Sequence, residues 1–108
     1  MTHDDLCAAI ASTGLPWTAE RFEGTPPQLP YVIIRRADAD DAHADNVTIA
    51  SVDVFDVELY SHNYDYAAEK LIAQRLTAHG IAFSRSASGE IPDSGGVCQL
   101  VFRVSTMG

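Results

Sequence analysis

The residues of this chain that could do chemistry are the run Asp38-Ala39-Asp40-Asp41-Ala42-His43-Ala44-Asp45-Asn46, two cysteines, Cys7 and Cys98, and the histidines His62 and His79. Several carboxylates converging from one loop are what a hard cation such as calcium takes. This loop lacks the glycine and the closing glutamate of a calcium-binding hand, so it reads as a solvated hairpin loop. His43 beside Asp41 or Asp45 offers too few ligands for zinc, which takes four in structural sites and three in catalytic ones. Cys98 with His62 or His79 could set a thiol beside a base. Cys98, however, keeps step with Leu100, Phe102 and Val104 in an alternating run, which assigns it to a core face. Asp56 and Glu58 alternate with apolar neighbours and read as the wet face of a strand, not as an acid/base pair. Gly95-Gly96 leads into a strand and so lacks the helix N-terminus of a phosphate cradle. The residues therefore assign no catalytic group, no cofactor and no metal.

Positioning these residues falls to one small domain, since 108 residues support one hydrophobic core. A formal net charge of −8 disfavours gripping a phosphate backbone, which takes a clustered basic face. Arg35-Arg36 is the one adjacent basic pair. Cys7 and Cys98 form no CxxC pattern and sit among apolar residues, so free thiols in a reducing compartment are expected. Asp4 and Asp5 stand where a signal peptide would be positive, and no apolar run approaches the roughly 20 residues that span a bilayer. Synthesis in the cytosol without a membrane anchor is the expectation.

Thr2 and Asp5 form a capping-box pattern, and Leu6, Ala9, Ile10 and Thr13 share a helical face up to Gly14. A first helix is predicted from about His3 to Thr13. Between Leu15 and Pro30 four prolines and a glycine dictate an extended surface path, with Trp17 and Phe22 as anchors. Tyr31 to Arg36 is a β-branched strand, the acidic loop follows, and Val47 onward is a long strand closing a hairpin. In it Phe55, Val57 and Leu59 alternate with Asp56, Glu58 and Tyr60, whereas Val52 and Val54 fall on the other parity. That switch predicts a bulge or a change of burial near Asp53 to Phe55. Asn63 is read as the cap of a second helix with an apolar stripe of Ala68, Leu71, Ile72 and Leu76, ending at His79-Gly80. Ile81 to Arg85 is a short strand, Ser86 to Gly96 a flexible polar loop, and Val97 to Val104 the last strand. The fold class is α+β: a small, mostly antiparallel sheet of about four strands, one helix packed on it and a second helix at the N-terminus.

Taken in order, Leu29-Pro30-Tyr31-Val32-Ile33, Ala44-Asp45-Asn46, Val57-Glu58-Leu59-Tyr60, the second helix, Gly80-Ile81-Ala82-Phe83 and an apolar last strand resemble the tail-completion, or tail-terminator, proteins of long-tailed bacteriophages and prophages. The likeness runs from about Gly14 onward. Ser86 to Gly96 is looser, and Asp38 to Asp41 more acidic, than that family's pattern. The resemblance implies a virion structural subunit and no enzyme. Its copies would close into a ring, six by family pattern, that caps the tail tube and meets the head connector. Its partners would be itself, the tail tube protein and a head-closure or connector protein, with DNA only as passing cargo. Its place would be the head–tail interface of the virion, reached from the host cytoplasm. Asp38, Asp40, Asp45 and Asn46 of the acidic loop, with Ser88 and Glu90 of the later loop, are the expected subunit contacts. Another head–tail joint subunit, such as a head-closure or adaptor protein, is the nearest alternative, and a small cytosolic ligand-binding domain or enzyme a more distant one.

Overall fold

The computed structural model describes residues 2–37, 40–44 and 47–107, of which 40–52, 87–88 and 106–107 are described by backbone alone. The elements run α1 (His3–Ala11), β1 (Trp17–Ala19), β2 (Tyr31–Arg36), β3 (Asp40–Ala44), β4 (Val47–His62), α2 (Tyr66–Ala78), β5 (Phe83–Glu90) and β6 (Val97–Met107). Thr2 caps α1, its hydroxyl accepting from the Asp5 amide while the Asp5 carboxylate accepts from the Thr2 amide. These hydrogen bonds hold the Asp5 carboxyl below the usual aspartate value. The cap of α2 is Asp65, whose carboxylate accepts from the Ala68 amide. Asn63 instead occupies the left-handed region at φ 57° and gives its amide to the Gly96 carbonyl. A residue turned that way cannot cap, and the helix starts two positions later.

Among the described residues the sheet has six strands in the order β1-β2-β4-β6-β5, with β3 paired to β4 beyond this path. The expectation of about four strands is corrected at three places. Trp17–Ala19, within the proline-rich stretch, pairs parallel to β2 through Trp17↔Val32 and Ala19↔Ile34, which makes the sheet mixed. Residues 40–44 of the acidic loop form β3. The expected flexible loop after Arg85 is strand as far as Glu90, because one extra residue between Arg85 and Ala87 lets β5 stay in register with β6. No bulge interrupts β4 near Asp53 to Phe55, where it pairs with β6 without a shift from Val52↔Met107 to His62↔Val97; the register shift of this strand lies upstream, between Thr48 and Ser51 opposite β3. The parity switch is a change of burial, since Val54 is half-buried on the other face.

Both helices pack on one side of the sheet. Leu6, Ala9 and Ile10 of α1 and Ala68, Ile72 and Leu76 of α2 join Val32, Ile34, Phe55, Val57, Leu59, Leu100, Phe102 and Val104 in a single core. The N-terminal helix is thus a full member of the helical layer. Trp17 packs against this core as expected, while Phe22 meets the Tyr31 ring edge-on at 5.2 Å on the opposite face. Cys7 and Cys98 are free and half-buried, and burial pushes the Cys7 thiol up.

One part of the sheet leaves this two-layer body. Residues 47–51 of β4 pair with β3 alone among the described residues, so β3 and this part of β4 form a two-stranded ribbon. Sixteen extended residues span roughly 50 Å, which accounts for the 48 Å long axis. The radius of gyration, 14.7 Å, exceeds the value of about 13 Å for a compact chain of this length.

Substituting Ile72→Ala, at the buried centre of α2, is expected to cost about 2–5 kcal/mol. Thr2→Ala is expected to cost about 1 kcal/mol through the lost cap. Urea unfolding followed by circular dichroism measures both.

Candidate assembly surfaces

The face of the sheet that the helices do not cover is built from β2, β4 and β6 by strict alternation. Arg35 Nε donates to Glu58 Oε1 at 2.8 Å, the Tyr60 hydroxyl donates to the same oxygen at 2.8 Å, and Gln99 Nε2 donates to the Tyr60 hydroxyl at 2.9 Å. Tyr31 stacks on Tyr60 with centroids 5.3 Å apart. Toward the ribbon, Arg103 grips both oxygens of Asp56 at 3.0 and 3.2 Å, and Arg36 reaches Asp53 at 2.9 Å. Glu58 was expected on a wet face, yet it is only 8% exposed, and Ile33 and Val101 beside it are 7% exposed. Long neighbouring side chains cover them in place of a second layer.

Charge follows from this geometry. The hydrogen bond to Glu58 raises Arg35 further, burial and the same carboxylate raise Tyr60, and the Asp56 contact raises Arg103. Among the described residues no buried side-chain polar atom lacks a hydrogen-bond partner. This face is therefore chemically complete as it stands.

A different surface lies between α2 and the free edge of β5. The outer side of α2 presents small residues, and Tyr66, Ala73, Thr77 and Ala78 line an open groove of about 580 Å³ whose other wall is Arg85. Tyr66 is 72% exposed and packs on Tyr64 with centroids 4.4 Å apart. The Tyr64 hydroxyl donates a short hydrogen bond to Glu69, which pushes the phenol up to about 12. Glu69 also faces Arg85 at 3.7 Å, and the Arg85 guanidinium lies 5.7 Å from the ring centre of Phe102 and 5.9 Å from that of Phe83.

Of the contact residues expected from sequence, Asp38, Asp45 and Asn46 lie outside the described residues. Asp40 opens β3 opposite Val52, whereas Ser88 lies opposite Leu100 and Glu90 opposite Cys98 on β6. Through β6 these rows reach Leu59 and Ser61 of β4, seven to nine residues from Val52, or roughly 25–30 Å at strand spacing. The described ones are thus set apart, Asp40 on the ribbon and Ser88 and Glu90 at the far end of β5. The groove was not foreseen. Its signal in the sequence is a helix whose outward positions Ala73, Thr77 and Ala78 are small, preceded by Tyr64 and Tyr66.

Among the described residues no cluster of three or more histidine, cysteine or acidic side chains is placed to hold a metal. No helix is long and apolar enough to cross a membrane.

The architecture is α+β, two helices over one face of a mixed sheet. No protein-family model matches the sequence, and no curated protein matches it. Among solved structures, a chain from the virion of a native gene transfer agent (GTA) particle is similar in fold, with a TM-score of 0.61, 98% of this chain and 91% of that chain covered, and 18% sequence identity. At that identity the likeness is one of fold.

Glu58→Ala is expected to destabilise by roughly 1–3 kcal/mol by stranding its hydrogen-bond donors, less any part that Arg35, at 44% side-chain exposure, recovers from water. It is also expected to lower the Tyr60 titration, read by ultraviolet difference spectroscopy. Because the folded Tyr60 value is raised, its contribution is complete below the unfolded value of about 10 and is lost as pH climbs through the folded one.

Proposed function

We propose that this chain is a virion structural protein, a tail-terminator or tail-completion subunit whose copies close into a six-membered ring that caps a tail tube and meets the head connector. The observation that carries the reading is the near-complete fold likeness to a chain of a gene transfer agent virion, along a sequence whose ordered motifs resemble the tail-completion family. Such a subunit works by shape and makes or breaks no bond. A ring needs a head-to-tail interface made of two unlike patches. The ribbon at one end of the sheet and the α2–β5 side of the body supply two. A two-stranded ribbon alone is marginal in water, and a neighbour that covers it supplies the missing support. With −8 on each copy, a bore lined by part of that charge lets duplex DNA pass without adhering.

Native mass spectrometry of the purified chain is the test. A closed oligomer, six copies in mass, is expected to form as concentration rises, and Asp45→Ala with Asn46→Ala is expected to weaken it while the thermal midpoint holds. A chain that stays monomeric at every concentration, with and without tail tube protein, contradicts the reading.

A further inference from the structure

Resting on the ring reading, the geometry points to the groove between α2 and β5 as the seat of the neighbouring subunit's β3–β4 ribbon. Of the seven lysines and arginines, Arg35, Arg36 and Arg103 are each closed onto a carboxylate of their own sheet face at 2.8–3.0 Å, and Arg21 follows β1 while Arg75 lies on α2 outside the groove lining. Lys70 and Arg85 line the groove, where Glu69 is the one carboxylate among the described lining residues and holds Arg85 loosely at 3.7 Å, which leaves Lys70 without a counter-charge in the lining. The groove is thus locally basic on a strongly acidic chain.

The ribbon is its complement. β3 carries Asp40 and Asp41 and neither lysine nor arginine, and four of the six residues 47–52 of the returning strand are apolar. The ribbon projects from one end of the sheet, and the groove lies against the strand at the other side of the body. One copy therefore cannot fill its own groove, and a row of copies can fill each other's. Opposite charges across such a contact fix register and suppress wrong pairings.

A charge exchange followed by sedimentation velocity tests the pairing. Lys70 and Gln74 are exposed, so Lys70→Glu with Gln74→Glu changes the groove without touching the core. Asp40→Lys with Asp41→Lys changes the ribbon. Each pair alone is expected to raise the concentration for half-assembly by roughly tenfold or more, and all four together to return it to within about threefold of wild type. A groove variant that assembles like wild type, or a fourfold variant no better than either pair, overturns the inference while rings of the wild-type chain keep the ring reading standing. In that case the groove belongs to another virion partner. A wild-type chain that never assembles removes both.

Discussion

The structure depends on the unbroken register of β4 with β2 and β6, and a slip of one residue there would turn every side chain to the opposite face. Held in register, Phe55, Val57 and Leu59 go under the helices. Asp56, Glu58 and Tyr60 go to the other face, each beside the arginine or glutamine that completes it. The same continuity carries the strand beyond the two-layer body, so one element both centres the core and supports the projecting ribbon. On the proposed reading, folding and assembly are joined in a single strand.

This division explains why the large uncovered sheet face is the less promising contact. An open sheet face usually gains by acquiring a second layer, but here Ile33, Glu58 and Val101 are already covered by the side chains around them. Each exposed ion pair on that face contributes little by itself, typically about 0–1 kcal/mol. Their effect is to keep the desolvated Glu58 carboxylate satisfied. A partner docking there would have to break contacts that are complete. The groove beside α2 holds one loose contact of this kind, Glu69 to Arg85 at 3.7 Å, among small residues, an exposed tyrosine and the exposed Lys70 and Gln74.

Elements whose signal is local were legible in the sequence: the Thr2–Asp5 capping box, the apolar stripes of both helices, and the alternation that put Cys98, Leu100, Phe102 and Val104 on one face. What escaped depends on partners distant in sequence. Trp17–Ala19 is a strand because β2 lies beside it, and Ser86 to Glu90 is strand because β6 accepts it past a bulge. Ser86 to Glu90 has little β propensity of its own, and Trp17-Thr18, though β-favouring, is too short and too close to Pro16 to signal a strand. Glu58 looked solvated because alternation shows which way a side chain points, not how large its neighbours are. The acidic run was read as a polar loop, but residues 40–44 are strand because β4 pairs with them. The groove could not be read from residue types alone, since it is a space left by small side chains.

The account holds that this molecule works by fitting against copies of itself. Electron microscopy of the purified chain at high concentration tests that most directly. Closed rings of uniform size in the class averages are the expected result. A field of single compact particles at every concentration, each binding a small substrate in a cleft, would contradict it.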